Sequence, residues 1–444
     1  MQADVLGITL LVGSFFAFLA IRVPVAFALG ASSVLTAWYL DLPLMIVVQQ
    51  MTRGLDSFSL MAIPFFILAG QIMAIGGISE RMIAMSNVIV GRIRGGLAMV
   101  NIMASMFFGG ISGSSVADTS SIGSILIPMM KKNGYDGDYS VAVTITSSVQ
   151  GVIIPPSHNV IIYALAAGWV TVTIEGVSKQ FSLSIGKLFL AGVIPGVFLG
   201  IMLMLISFYL AVKRNYPKER AVGFREGVRR IVAGFFGLLT AVIIIGGVIS
   251  GVFTATESAA IAVAYAFLVT SLVYREISFR NLQTILRESL KTLAIVAALI
   301  TTSSAFGYLM TRLDVPRLAT ESLITLTDNR YVVFLIVNAV LLMLGMIMDM
   351  APLILITTPI LLPVVAHFGM DPHHFGIIMM LNLGMGLLTP PVGSTLFVGC
   401  AIGRVRIEDM VRPLIPFYLT MFVTLMLITY IPQIAMWLPG MISK

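Results

Sequence analysis

This sequence predicts an all-α polytopic membrane fold of two inverted five-span repeats. Each repeat is expected to carry one re-entrant hairpin and one Pro-Pro-broken helix. Three observations support this. The 444-residue chain is 58% hydrophobic and 11% charged, where a soluble globular domain is about a quarter charged. Apolar runs of about 18 to 25 residues, the length that crosses a bilayer, recur from end to end. Finally, "GVIIPPSHNV" (151–160) places two prolines inside such a run and has a counterpart in "GLLTPPVGST" (386–395). Proline lacks a backbone N–H and clashes with the preceding turn, so a helix cannot continue intact through the pair. In hydrocarbon the freed carbonyls need partners, so the break must be buried in protein or line something polar.

Spans are predicted at 5–21, 23–40, 59–78, 139–168, 187–212, 231–250, 257–275, 291–310, 372–402 and 414–437. Two more apolar stretches, 97–130 and 331–366, are interrupted midway. The first has a Gly/Ser-rich centre, "GGISGSSVADTSSIG", and is flanked by Arg92, Arg94, Lys131 and Lys132. It therefore enters and returns on one side. The second is interrupted at Asp349 and Pro352 and would enter from the opposite face; ordinary crossings bent by glycine and proline are the plainer alternative for both. Two amphipathic segments, 43–58 and 277–291, are expected to lie along the interface as arms. Lys213, Arg214, Lys218, Arg220, Arg225, Arg229 and Arg230 form the densest basic loop and set the cytoplasmic side. That choice puts 20 of the 27 basic residues inside and both termini outside. The net charge of +7 thus reads as loop asymmetry and not as a nucleic-acid surface. The single Cys400 excludes an internal disulfide, and no cleavable signal peptide is expected, because the first basic residue, Arg22, follows the first apolar run.

The halves correspond in order. The 235-residue offset of the Pro-Pro segments also relates Pro128 to Pro363 and "GYD" (134–136) to "GMD" (369–371). An offset of 231 pairs Asp118 with Asp349 and Gly76 with Gly307, and so predicts a shared role for the two acids. Five crossings per half is an odd number, so the halves are inverted. Paired discontinuous helices in an inverted repeat are the pattern of a secondary transporter with its site near the midplane.

Pro155 and Pro156 free the carbonyls of Gly151 and Val152; Pro390 and Pro391 free those of Gly386 and Leu387. Unwound carbonyls of this kind ligate Na⁺ in membranes. The hairpins add Ser112, Ser115 and Asp118 in one half and Gly345 and Asp349 in the other, with Thr389 supplying a hydroxyl. Serines that only cap half-helices are the alternative. Half-helices starting near Ser115, Ser157 and Gly393 would aim positive dipole ends at the centre, which suits a carboxylate where no span carries a central Arg or Lys. Ser114, Ser157, His158, Asn159, Ser394 and Thr395 are the polar candidates for it, with backbone hydrogen bonding the other role open to His158. Glu257 is expected to cap the helix after "TAT". His367, His373 and His374 lack metal-site spacing. "GISG" (110–113) also matches the G-x-S-G of intramembrane serine proteases, with Ser112 as nucleophile and His158 as base. That pattern is weak, and the duplication argues against it.

"GGISGSSVADTSSIG", "GVIIPPS", "SIGKLFLAGVIPG", "GVFTATESAA", "GMIMDMAP" and "GLLTPPVG" together resemble the large membrane subunit of tripartite ATP-independent periplasmic (TRAP) transporters. The resemblance covers nearly the whole chain. It implies a fold similar to the divalent anion–sodium symporters and an elevator-type, Na⁺-coupled importer of an organic acid in the bacterial inner membrane. It further implies a small four-helix membrane subunit and a periplasmic substrate-binding protein as partners, and no cofactor besides the coupling Na⁺. The carbonyls of Ile154, Pro156 and Val392 join the Na⁺ ligands by the same resemblance. A stand-alone divalent anion–sodium symporter is the nearest alternative. The expected division is scaffold and first arm (1–96), first transport half (97–168), extracytoplasmic insert (169–186), scaffold and second arm (187–310), second transport half (331–402) and final scaffold span (403–444). The insert, and "SHN" at 157–159, depart from the family pattern.

Overall fold

In a computed structural model of the chain, residues 4–56, 58–168, 170–174, 177–180, 183–219 and 222–442 are described, and among them the fold is helical apart from one short hairpin. Helices α1 (Val5–Ala20) and α2 (Val25–Tyr39) pack as a pair, and α3 (Leu44–Leu55) is the first of the expected arms. A 3-10 turn leads into α4 (Ala62–Ile75). Gly77, in the left-handed region at φ 74°, then turns the chain by 69° into α5 (Ile78–Val90). The helix α5 was not foreseen, because its serines, Glu80 and Arg81 read as loop.

The first hairpin is α6 (Gly96–Ser112) and α7 (Ser115–Lys132), which pack together across Gly113 and Ser114. Gly113 sits at φ 63° and Ser114 is the N-cap of α7, so the glycine makes the turn and the serine starts the returning helix. Next come α8 (Gly137–Ser148), α9 (Gln150–Ile153) and α10 (His158–Gly168), with a 47° bend at the first Pro-Pro pair. Although α8 is rich in Ser and Thr, residues 139–148 are all buried. Thr144 and Thr146 donate to the carbonyls of Ser140 and Ala142, which satisfies their hydroxyls within the helix. The expected insert contains an antiparallel pair, β1 (Thr171–Ile174) and β2 (Val177–Gln180), with Thr171 opposite Gln180; its positions 169, 175, 176, 181 and 182 lie outside the described residues.

Helices α11 (Ile185–Lys213), α12 (Phe224–Ile249), α13 (Ala255–Leu268, extended by a π turn to Val273), α14 (Phe279–Arg312), α15 (Val315–Leu326), α16 (Arg330–Ile347), α17 (Met350–His367), α18 (Pro372–Gly386), α19 (Ser394–Gly403), α20 (Ile407–Tyr430) and α21 (Gln433–Ile442) complete the chain. Glu257 does cap α13, forming a reciprocal capping box with Thr254. The order hairpin, buried helix, Pro-Pro break, short helix, long helix thus occurs twice.

Several expectations change. The second arm is not separate from its span: α14 is one helix of 34 residues, about 51 Å long against a hydrocarbon core of about 30 Å. Its polar first turns favour an interface without breaking the backbone ladder. The last predicted span, 414–437, is divided at Ile431 and Pro432, where proline interrupts the ladder between α20 and α21. The helix α15 was missed because its polar face hid the periodicity. By length and apolarity seven helices among the described residues can cross a bilayer, or nine if each bent pair counts as one. That set includes both limbs of the second hairpin, so length alone does not separate a re-entrant limb from a crossing.

Candidate functional site

The two hairpins are seated by the same device. Gly109 on α6 lies against Gly151 on α9, and a Cβ on Gly151 would sit 2.8 Å from the Cα of Gly109. On the other side Gly345 of α16 lies against Gly386 of α18, and a Cβ on Gly386 would sit 2.6 Å from the Gly345 backbone. Only glycine on both partners lets two backbones approach so closely. Behind each contact is an asparagine-centred network. Asn101 donates to Thr144 Oγ1 at 2.7 Å, and Ser147 bonds Ser105 at 3.2 Å. In the second half Asn382 donates to the Asn338 side chain at 2.8 Å, and Asn338 to Thr429 at 3.3 Å.

The hairpin tips converge on a cavity of about 580 Å³ between α4 and α14. Eight of the residues singled out from the sequence line it together: Ser112, Ser114, Ser115, Val152, His158, Asn159, Asp349 and Leu387. Ser114 accepts from Ala117 N at 3.3 Å as the N-cap of α7. Asp349 accepts from Met350 N at 2.9 Å as the N-cap of α17 and is otherwise exposed to the cavity. The helix α10 begins at His158, and Asn159 donates to the Gly113 carbonyl at 3.3 Å, tying the first tip to the first break. Three helix N-termini therefore face one space whose lining contains no Lys or Arg and one acid, Asp349. An anion would meet favourable dipoles at the α7 and α10 ends, and a cation would meet the Asp349 carboxylate at the α17 end. Sequence reasoning missed Gln71 of α4 and Thr292 of α14, which also line the cavity. Gln71 was detectable as the one strongly polar residue in "FFILAGQIMAI".

The other expected residues lie behind this surface. Ser115 spans both settings: it lines the cavity while its Oγ bonds Ser148 Oγ at 2.6 Å and accepts from Thr395 at 3.1 Å. Thr395 is fully buried, so this hydroxyl chain joins α7, α8 and α19. Asp118 is also fully buried, and neither carboxylate oxygen has a hydrogen-bond partner. Ser157 and Ser394 hold unpaired buried hydroxyls beside the two breaks. Pro156 is buried and Ile154 half-buried at the first break. Both Pro-Pro bonds, 155–156 and 390–391, are cis.

Two expectations fail on this geometry. Asp118 and Asp349 are not equivalent. Asp349 is the N-cap of its helix, whereas Asp118 sits one turn inside α7, and the residue matching Asp349 is the N-cap Ser114. The matched N-caps are 235 residues apart, the offset of the prolines, so the 231 offset was a chance alignment. Gly76 and Gly307 fail likewise: Gly76 caps α4 and Gly307 lies within α14.

The second failure concerns carbonyls. No described residue donates to the carbonyl of Gly151 or Val152. At the second break the Gly386 carbonyl accepts from Thr389 N at 2.9 Å, and that of Leu387 accepts from Thr395 N at 3.2 Å and Leu396 N at 3.4 Å. Thr389 Oγ1 is itself committed to the Met385 carbonyl at 2.9 Å, and the Tyr418 hydroxyl donates to the Leu388 carbonyl. The amide of Val392 donates to Met346 O at 3.1 Å, and its side chain is 43% exposed. Seven residues separate α18 from α19, against four between α9 and α10. The longer link can fold back on its own freed carbonyls.

The protease geometry is absent among the described residues. Ser112 Oγ pairs with the Ser114 backbone at 3.5 Å and forms no bond to His158. His374 Nε2 donates to the Ile428 carbonyl at 2.8 Å, and His373 pairs with Asp371.

Comparison with known proteins agrees with this architecture. The family described as "Tripartite ATP-independent periplasmic transporter, DctM component" matches residues 12–434. The uncharacterized protein YgiK of Salmonella typhimurium is 43% identical, over 98% of each chain. The 2,3-diketo-L-gulonate TRAP transporter large permease protein YiaN of Escherichia coli is 35% identical over 97% of this chain and 98% of its own length. The sialic acid TRAP transporter large permease protein SiaM of Vibrio cholerae is 37% identical over 88% of each. Among solved structures, the YdaH transporter of Alcanivorax borkumensis shares the fold, with a TM-score of 0.62 at 13% identity, covering 97% of this chain and 98% of that one. This chain is a multi-pass membrane transport protein, not an enzyme, and belongs to the large-permease (DctM) family of tripartite ATP-independent periplasmic transporters.

Proposed function

We propose that the chain is the large permease of a Na⁺-coupled importer of an organic acid in the bacterial inner membrane, with both termini on the periplasmic side. The observation that carries this reading is the single cavity reached by both hairpin tips and by the first Pro-Pro break. An acid group there is held by the N-termini of α7 and α10, by Ser114 and by Asn159, with His158, Gln71 and Thr292 shaping the rest. Na⁺ is held by oxygen: the open carbonyls of Gly151 and Val152 and the adjacent Ile154 and Pro156 on one side, and Asp349 with Ser112 and Ser115 nearer the cavity. Asp118, whose buried carboxylate has no partner, is the further oxygen that a cation would satisfy.

Substrate class follows the relatives, whose names specify a diketo sugar acid and sialic acid. A small membrane subunit and a periplasmic binding protein complete the assembly, as the family's tripartite description implies. Transport is by an elevator movement of the hairpins and broken spans against α4, α12, α13 and α14, the two halves being inverted. The moving body extends beyond the residues first expected. On α11, Gly192 and Gly196 are pressed onto Ile153 and Ile154. On α20, Tyr418 and Thr429 are bonded to Leu388 and Asn338. Both long helices therefore travel with the breaks.

The test is uptake of labelled sugar acids and C4-dicarboxylates by proteoliposomes holding the chain, its small subunit and its binding protein. Uptake should follow an inward Na⁺ gradient and vanish when K⁺ replaces Na⁺. Uptake indifferent to Na⁺ would overturn the coupling.

A further inference from the structure

Besides the central cavity, two others open between the proposed moving body and its frame, and their charges differ. The one on the side assigned to the cytoplasm, about 700 Å³, contains Arg81, Arg229 and Arg230. All three are ion-paired, Arg81 with Glu276 at 3.2 Å and Arg229 and Arg230 with the shared Glu226 at 3.0 and 2.9 Å, and Glu80 in the same lining brings the acids to three against three arginines. The other, about 420 Å³, lies between α3, α14 and α17 on the side assigned to the periplasm. It is lined by Gln50, Arg53, Ser304, Tyr308 and Thr311, with no acid. Among the described residues Arg53 forms no ion pair and no side-chain hydrogen bond; Asp56, three residues on, is beyond ion-pair distance. The amide of Gln50 and the hydroxyl of Tyr308 are likewise uncommitted, whereas Ser304 and Thr311 donate to their own helix carbonyls. Gly54 holds the arm in place, since a Cβ there would collide with Ser304 Oγ.

We infer that this outer pocket is a receiving site for carboxylate solutes, with Arg53 as the charge and Gln50 and Tyr308 as neutral donors. A guanidinium presents a fork of donors that matches a carboxylate bidentately, and a basic cavity without acids raises local anion concentration. At the inner mouth the arginines are already paired, so an anion released there meets no competing charge. The inference rests on the import reading for its direction, but the binding site itself does not require transport.

Thiol labelling tests it. Gln50→Cys is placed in the full chain, in phosphatidylcholine nanodiscs, with the parent chain (Cys400 buried) as background. Relative to their rates on free cysteine, sulfonatoethyl methanethiosulfonate should outpace the trimethylammonioethyl reagent by about tenfold. Millimolar succinate should slow that labelling. Adding Arg53→Gln should erase both effects, while Arg53→Lys should keep the charge preference and weaken succinate protection. Charge-blind labelling overturns the site. So does protection by phosphatidylglycerol in the nanodisc but not by succinate, which would make it a lipid-headgroup pocket. Uptake that fails to follow Na⁺ while the labelling preference persists would sink the import reading alone. Charge-blind labelling in a chain that still transports would sink the outer site alone.

Discussion

Each Pro-Pro break follows a helix whose last glycine rests on a glycine of the neighbouring hairpin, but beyond that contact the two are built differently. Around the first, Pro155, Pro156 and Ser157 are buried and the carbonyls of Gly151 and Val152 are open. Around the second, Pro390, Pro391 and Val392 are exposed and the carbonyls of Gly386 and Leu387 are taken. One sequence device therefore leaves backbone carbonyls open in one half and produces a self-satisfied loop in the other. The difference comes from link length: three more residues give amide donors room to turn back. A repeated motif guarantees a repeated break in the helix, not a repeated ligand set.

Healing the breaks should separate the halves most. Replacing Pro155 and Pro156 with alanine turns Gly151 and Val152 into intrahelical acceptors. Withdrawing one oxygen from a bound cation costs about 1.5–3 kcal/mol, as for a hydrogen bond to a charged group. With two oxygens withdrawn, Na⁺-driven uptake should fall by roughly 100-fold or more. The matching change at Pro390 and Pro391 should lower uptake by only about tenfold on the same scale. Equal losses in parallel proteoliposome assays would mean that the second break also binds the ion through its carbonyls.

The two acids should part next. Asp349→Asn changes an exposed group at the cavity and should raise the Na⁺ concentration for half-maximal uptake by about tenfold, with thermal stability unchanged. Asp118→Asn removes a buried carboxylate without a partner, a costly group unless a cation sits beside it. If Na⁺ satisfies it, the parent should gain thermal stability on adding Na⁺ and the variant should not. A variant that keeps the full gain would remove Asp118 from the ion's surroundings.

The glycine contacts are shared, so they should respond alike. Gly151→Ala and Gly386→Ala each force a methyl into a neighbouring backbone, with an expected cost of about 1–3 kcal/mol, read from thermal unfolding in detergent. A tolerant Gly386 would show that the exposed break can shift where the buried one cannot.

The smallest effect concerns the turn aspartates, Asp136 and Asp371, which keep the 235 offset. The Tyr216 hydroxyl, with Arg214 at 2.7 Å, holds the Asp136 carboxyl below its usual value although partial burial pulls the other way. A carboxyl depressed in the folded state adds stability above its unfolded value, near 4, and loses it as pH falls through the folded value. Asp136→Asn should therefore flatten the stability profile below about pH 4. Because the pair is largely exposed, only a small change is expected, and an identical acid limb in the variant would dismiss the contact.

The membrane-spanning class, both broken helices, the turn regions of the two hairpins and the family were legible in the sequence. All of them rest on local rules: hydrocarbon demands long apolar runs, and proline removes a donor wherever it stands. Eight residues that line the cavity together were also named from sequence, because Gly/Ser turns and Pro-Pro breaks mark where backbone must be exposed. Tertiary structure alone decided which freed carbonyls stay free, because that depends on whether donors such as Thr389 N and Thr395 N can reach them. It alone matched Asp349 with Ser114, since equivalence is fixed by where a helix begins and not by which residue types recur. It alone brought Gln71 and Thr292 from distant helices to the hairpin tips, and left Arg53 unpaired beside a cavity. Such facts depend on which surfaces meet across the fold, and no window of sequence contains that information.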